Sequence, residues 1–241
     1  MKVLVILPTY NERANITALT REVLASPVNA DVLIIDDNSP DGTGEVAEGL
    51  ARDESRVHVI HRAAKLGLGS ATRDALRFAI DRGYDFAVVM DADGSHSPRY
   101  IDDLVSGMTR YDVTLGSRYL CGGGTVGWSL GRRLLSRLAN LVTRVCLGLR
   151  VHDCTGSMRC YRLARMSPVL LDRVRADGYG YLEEILHRCR SARMRLGEMP
   201  IVFEARRSGR SKLSSCEVVR VLWGVLRLGL DRLLVRGRLS G

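Results

Sequence analysis

Four short apolar runs, each closed by a polar cluster, constrain this chain more than any other feature. The runs are Lys2–Leu7, Val32–Ile35, Val57–Ile60 and Ala87–Met90, each the length of a buried strand. Between them, apolar residues recur at helical spacing through Ile16, Leu19, Val23 and Leu24, then Val46 and Leu50, then Ala71, Ala75, Leu76 and Ala79. Strands alternating with helices predict an α/β fold: a mostly parallel, Rossmann-like sheet with helices on both faces. Such sheets bind ligands beyond the carboxyl ends of their strands. Pro8–Glu12, Asp36–Asp37 and Asp91–Asp93 all fall at those ends, so three polar clusters converge on one edge.

The last cluster carries the sharpest chemistry. In extended chain, Asp91 and Asp93 project to the same side, because side chains alternate with period two. Like charges so close repel unless a positive charge lies between them. Carboxylate oxygens suit a hard divalent cation, Mg²⁺ or Mn²⁺, which completes its shell with water and substrate phosphates. The competing reading is a solvated loop or a helix N-cap, with Ser97-Pro98 opening the next helix. His96 reads as a loop residue rather than a ligand, since a hard metal prefers oxygen. Gly42-Thr43-Gly44-Glu45-Val46-Ala47 fits a dinucleotide-binding fingerprint, but Asp36, Asp37 and Asp41 would crowd a pyrophosphate there. Asp37 is better suited to accepting hydrogen bonds from a base or ribose.

Charge is divided along the chain. Residues 1–112 hold 12 Lys and Arg against 18 Asp and Glu, whereas residues 113–241 hold 24 against 9. A basic second half implies a polyanionic partner: nucleic acid, a phosphorylated substrate or an anionic membrane surface. Aromatic residues make up only 5% of the chain and no basic-aromatic platform repeats, which argues against nucleic acid. The six cysteines show no Cys-X-X-Cys pair and read as reduced thiols of a cytosolic protein. The opening apolar run reads as a first strand and not as a signal sequence, and no uncharged apolar run is long enough to span a bilayer.

Beyond residue 112 the pattern loosens. Val113–Tyr119 reads as a strand and basic turn, Gly122–Gly124 as a flexible loop, and Trp128–Leu149 as a helix mixing Arg132, Arg133, Arg137 and Arg144 with leucines. Asp153–Arg162 is polar and glycine-punctuated, as a site loop would be. Tyr181–Met194 reads as a helix with Glu183 and Glu184 near its start, and Gly197–Phe203 as a strand. Ser215–Leu239 is a basic amphipathic helix that either packs on the domain or lies on an anionic bilayer.

These residues resemble the GT-A glycosyltransferases of family 2, and specifically the dolichol-phosphate (polyprenol-phosphate) mannose synthases. The likeness runs from Val3 to about Leu226. It rests on Leu7-Pro8-Thr9-Tyr10-Asn11-Glu12, Ile35-Asp36-Asp37-Asn38-Ser39-Pro40-Asp41-Gly42, Lys65-Leu66-Gly67-Leu68-Gly69 and Met90-Asp91-Ala92-Asp93-Gly94-Ser95-His96. Gly116-Ser117-Arg118-Tyr119, Asp153-Cys154-Thr155-Gly156-Ser157, Gly197-Glu198-Met199-Pro200 and Ser211-Lys212-Leu213 add to it.

The resemblance implies GDP-mannose as donor, polyprenyl or dolichyl phosphate as acceptor, and inversion at the sugar carbon. It implies that Pro8, Tyr10, Glu12, Ile35 and Asp37 hold the guanosine half of the donor, with Asn11 also among the donor-binding residues. Asp91, Ala92 and Asp93 would take the ribose, diphosphate and metal, with Ser95 joining the metal shell. Arg118, Arg206 and Lys212 would face the donor diphosphate and the acceptor phosphate, completing a catalytic set with Asp91 and Asp93. The catalytic domain would span residues 1–213, with a nucleotide-binding half over 1–112 and an acceptor-binding half over 113–213; residues 214–241 would form the membrane-proximal helix and tail. The enzyme would lie on the cytoplasmic face of a membrane, reaching its lipid through that helix or through a separate membrane-spanning partner. An ionised phosphate acceptor needs no strong general base; a sugar hydroxyl would, and Glu183 or Glu184 could then serve. Alternatives are another donor such as UDP-glucose, or a non-catalytic nucleotide-sugar or RNA-binding module.

Overall fold

A computed structural model describes residues 1–205 and 220–230. The first four strands, β1 (Val3–Thr9), β2 (Asp31–Asp36), β3 (Val57–His61) and β4 (Phe86–Val89), alternate with α1 (Arg13–Leu24), α2 (Thr43–Asp53) and α3 (Leu68–Asp81). A 3₁₀ turn over Pro98–Tyr100 then leads into α4 (Ile101–Ser106). The chain continues through β5 (Val113–Ser117), β6 (Gly124–Thr125), α5 (Leu130–Leu147), β7 (Arg159–Arg162), α6 (Pro168–Asp172), α7 (Tyr181–Ser191), β8 (Leu196–Pro200) and β9 (Val202–Phe203).

The main sheet has seven strands in the order β3-β2-β1-β4-β7-β5-β8. β1 to β4 run parallel, β7 enters antiparallel to both β4 and β5, and β8 returns parallel to β5. The chain steps outward from β1 through β2 to β3, then crosses back so that β4 pairs on β1's other side. That reversal opens a crevice between the carboxyl ends of β1 and β4, where open α/β sheets bind ligands.

Alternation within each strand divides the core in two. Leu4, Ile6, Leu33, Ile35, Ala87 and Val89 face α3 and α7, meeting Ala75, Leu76, Ile185 and Leu186. Val3, Val5, Leu7, Val32, Ile34 and Val88 face α1 and α4, meeting Ile16, Leu19, Val23, Ile101 and Leu104. Both sheet faces are therefore covered, which is why these strands read as unbroken apolar runs.

Some boundaries differ from those the sequence suggests. Pro8 lies inside β1 rather than closing it; β4's register with β1 stops at Ile6, so Pro8 pairs only with β2. The expected strand Gly197–Phe203 is two strands, interrupted at Ile201, which donates its N–H to the Ser117 carbonyl and accepts from Gly124 N–H. The Gly122–Gly124 segment is not the flexible loop its glycines suggest. Gly124–Thr125 pairs with β9, and a Cβ at Gly123 would lie 2.5 Å from the Ser117 carbonyl oxygen, so glycine here permits close packing. Of the amphipathic helix expected over Ser215–Leu239, residues 220–230 are helical and the rest lies outside the described residues.

Candidate active site

The edge beyond β1 and β2 is braced by its own acids. Thr9 donates its hydroxyl to Asp36 at 2.8 Å, and Ser39 donates its backbone N–H and hydroxyl to the same carboxylate. Asp37 is buried; it pairs with Arg62 at 2.5 Å and accepts the Gly67 N–H at 2.8 Å. Its charge is thus neutralised from within, leaving it suited to the uncharged hydrogen bonding expected of it. Asp36 at the end of β2 and Asp41 in the loop before α2 are taken up by Ser39 and Thr43, so the glycine fingerprint at residues 42–47 frames acids rather than a phosphate cradle.

After β3 the chain returns over this edge. The Lys65 ammonium lies 4.1 Å from the centre of the Tyr10 ring. Gly67 has φ +95°, and Gly69 approaches the 176–177 backbone so closely that a Cβ would stand 2.3 Å from the Ala176 carbonyl oxygen. No larger residue fits there, so Lys65-Leu66-Gly67-Leu68-Gly69 is held against the chain before α7. Between these segments lies a cavity of about 410 Å³. Pro8, Tyr10, Glu12, Asp37, Asp91, Ala92 and Asp93 line it, joined by Lys65, Asp177, Gly178, Tyr179 and Arg220.

Asp93 is buried, and Ser95 donates both its N–H (3.0 Å) and hydroxyl (2.5 Å) to the Oδ1 of Asp93. Ser95 therefore aims the carboxylate as well as standing beside it. Asp91 is more open, and its N–H donates to His96 Nδ1 at 3.2 Å, so that nitrogen is an acceptor. Burial pushes the His96 pKa down, against the pull of the Asp91 and Asp93 charges. A neutral imidazole that orients the Asp91 backbone follows, in line with the loop role expected of it. The two carboxylates offer oxygen ligands suited to Mg²⁺ or Mn²⁺. Among the described residues no cluster of three or more His, Cys, Asp or Glu is arranged around a metal position.

Not every expected residue joins the cavity. Ile35 is fully buried in the core, and Asn11 is exposed, its N–H bonded to the Ser39 hydroxyl. Arg118 donates Nε and Nη2 to the two oxygens of Asp153, each at 2.7 Å, and its backbone N–H to the same group. Its guanidinium also lies 5.3–5.6 Å from the rings of Tyr119, Trp128 and Phe203. Burial alone would raise the Asp153 pKa, but the Arg118 charge and hydrogen bonds outweigh it and hold the carboxyl below its ordinary value. Arg206 and Lys212 lie outside the described residues.

Neither Glu183 nor Glu184 lines the cavity. Glu184 accepts from the backbones of Arg175 and Ala176, both at 3.0 Å, and from Arg188. Glu183 is buried, with its Oε2 unpartnered among the described residues, and burial pushes its pKa up to about 7. Sequence reasoning gave no role to Arg62, Lys65, Tyr179 or Arg220. The lysine was signalled, standing at a strand end beside two glycines; Tyr179 carried no signal, because a loop far along the chain delivers it.

A nucleotide-sized cavity at the sheet's switch point, with an Asp-X-Asp pair at its rim, defines the GT-A class of glycosyltransferase. The family model described as "Glycosyl transferase family 2" matches residues 4–165, and the chain belongs to that family. The chain is 38% identical over 230 residues to an undecaprenyl-phosphate mannosyltransferase of Micrococcus luteus, covering 95% of each chain. It is likewise 38% identical to a polyprenol monophosphomannose synthase of Mycolicibacterium smegmatis, over 99% of this chain and 89% of the relative. Among solved structures, glucosyl-3-phosphoglycerate synthase of Mycobacterium tuberculosis, with Mn²⁺, UDP-glucose and phosphoglyceric acid, superposes with a TM-score of 0.67. It shares 19% identity, over 95% of this chain and 79% of that one. Mannosyl-3-phosphoglycerate synthase of Rubrobacter xylanophilus gives 0.63 at 16% identity, covering 100% of this chain and 76% of its own. These structural likenesses speak to fold alone.

Proposed function

We propose that this glycosyltransferase moves mannose from GDP-mannose to a polyprenyl or dolichyl phosphate, with inversion at the sugar carbon. The observation that carries the reading is the single cavity uniting Pro8, Tyr10, Glu12, Asp37 and Lys65 with Asp91, Ala92 and Asp93. The guanosine occupies the Pro8, Tyr10 and Asp37 side, and the diphosphate lies toward Asp91 and Asp93. Those two carboxylates, with Ser95, would hold Mg²⁺ or Mn²⁺. When bound, the cation offsets the negative charge growing on the leaving diphosphate. Arg118, Arg206 and Lys212 are assigned to the diphosphate and the acceptor phosphate.

An oxygen of the acceptor phosphate forms the new bond to the sugar's anomeric carbon. The bond from that carbon to GDP breaks, and its electron pair leaves with the diphosphate. A lipid phosphate is already ionised near neutral pH, so no strong base is required. Neither Glu183 nor Glu184 lines the cavity, so neither is placed as such a base. No helix among the described residues is long and apolar enough to cross a membrane. We assign the catalytic domain to residues 1–213 and place the enzyme peripherally, on the cytoplasmic face.

Purified protein with labelled GDP-mannose, polyprenyl phosphate and Mg²⁺ should carry label into the lipid phase. Transfer from UDP-glucose in preference would overturn the donor assignment. Absence of transfer from any donor to any lipid phosphate, with membrane fraction added to supply a spanning partner, would overturn the reaction.

A further inference from the structure

Helix α5 is amphipathic in the reverse of the usual sense. The residues it buries against the domain are Asn140, Thr143 and Leu147. Asn140 is committed inward, accepting the Cys154 N–H at 2.6 Å and donating to the Ser136 carbonyl. On the far side, Leu130, Leu134, Leu138, Leu141 and Val145 recur at spacings of four and three residues, which sets them in one stripe about 80° wide. Leu130 is 80% exposed, and Leu134 and Val145 are each 70% exposed. A surface helix in water turns its leucines inward; this one buries Asn140 and Thr143 beside a single leucine, Leu147, and turns most of its other leucines out.

A second helix extends the surface. Residues 220–230 bury Val225 and Gly229 and expose Leu222, Trp223, Leu226 and Leu230, with Trp223 at 70%. The two helices touch where Gly229 packs on Cys146, whose carbonyl oxygen would lie 3.2 Å from a Cβ at that position. Val145 and Leu230 each stand one residue from this contact, so the exposed sets adjoin. The α5 sequence has four arginines, Arg132, Arg133, Arg137 and Arg144, and no acid. Residues 220–230 add Arg227, also without an acid, while Arg220 lines the donor cavity.

We propose that this joint face, with α5 as its larger part, docks on an anionic lipid bilayer. Leucines and a tryptophan rimmed by arginines match an interfacial helix, whose apolar side enters the acyl boundary while its cations meet lipid phosphates. A second copy of the chain is a poor occupant, since pairing two such faces would oppose like charges. Docking also fixes the height of the donor pocket. Trp128, just before α5, packs on Phe203 (5.4 Å), Phe203 packs on His96 (5.1 Å), and His96 accepts the Asp91 N–H. The docked helix therefore begins three side chains from Asp91. Only the benefit of this placement rests on the proposed function; the docking itself does not.

The test is flotation of the full-length protein with vesicles of phosphatidylcholine, with and without phosphatidylglycerol. Wild-type protein should float with the anionic vesicles and much less with the neutral ones. Leu134→Ser/Leu138→Ser/Leu141→Ser, which alters only exposed positions, should lower partitioning more than about tenfold while thermal stabilisation by GDP persists. Arg133→Gln/Arg137→Gln should weaken binding to anionic vesicles by about fivefold or more and flatten its salt dependence. Unchanged flotation of the leucine variant would overturn the proposal, as would wild-type protein that floats only after a membrane-spanning protein is reconstituted. Failure of mannosyl transfer with normal flotation would count against the reaction instead.

Discussion

Replacing Asp153 by Asn isolates the electrostatics of the buried Arg118–Asp153 pair. Asp153 is fully buried; one oxygen accepts from Arg118 N and Nε, the other from Arg118 Nη2 and Gly156 N. An amide of the same shape has one oxygen and one NH₂, so whichever way it turns, its NH₂ meets two donors. Arg118, its side chain 7% exposed, then lacks its counter-charge. Breaking a buried pair from one side costs about 3–5 kcal/mol, against a total stability of roughly 5–15 kcal/mol. For a chain of this size that corresponds to a fall in melting temperature of about 6–20 °C. Urea denaturation near pH 7 should report it, and Arg118→Met/Asp153→Leu should regain most of the loss because no unpaired charge remains. A single-variant loss below about 1 kcal/mol would refute the reasoning, since a weak, solvent-screened pair would then be indicated. The pH dependence has a definite sign. The folded-state pKa of Asp153 is lowered, so its contribution is present above the unfolded value and is lost as pH falls through the folded one. The Asn variant's deficit should therefore shrink in acid.

Other perturbations address the donor edge and the buried helix. Asp93→Ala should reduce mannosyl transfer by at least about a hundredfold and abolish the dependence of GDP affinity on Mn²⁺; retained activity would refute the metal assignment. Lys65→Gln removes the cation above Tyr10 and should weaken GDP binding by about 2- to 30-fold, read by calorimetry. Glu183, with its pKa raised to about 7 from 4.5, favours folding when protonated, so stability should decline as pH rises between those values. Glu183→Gln should flatten that decline in denaturation curves, and an unchanged slope would place its source elsewhere.

Much of this was legible because the parallel half writes itself plainly. Strands buried on both faces have no polar residue to interrupt them, so Val32–Ile35 and Ala87–Met90 stand out and their ends locate the pocket rim. The clusters that hold Tyr10, Asp37, Asp91 and Asp93 followed from their position at strand ends, and Tyr10 itself was singled out only by the family resemblance. The second half was harder for physical reasons. β7 pairs antiparallel between strands distant in sequence, and no local periodicity records that partner. Residues such as Asp177 and Tyr179 reach the cavity because Gly67 and Gly69 admit another backbone, a steric fact visible only once the two segments are in place. Arg118 read as a cation facing phosphate, whereas its partner Asp153 was read as part of a separate loop. The leucines of α5 show the converse failure. Periodicity reveals that a helix has an apolar stripe but not which way the stripe points.

The place of β7 bears on how the chain emerges from a ribosome. Phe86–Val89 of β4 pairs with β1 on one side, but its other partner, Arg159–Arg162, is synthesised roughly seventy residues later. At ordinary elongation speeds that interval lasts about 4–15 s, and through it the donor strand presents an open edge able to pair with another chain. Neither half can therefore be produced alone with its central strand sealed. Synonymous changes that slow translation between residues 90 and 158 should lower soluble yield without altering a single residue of the product.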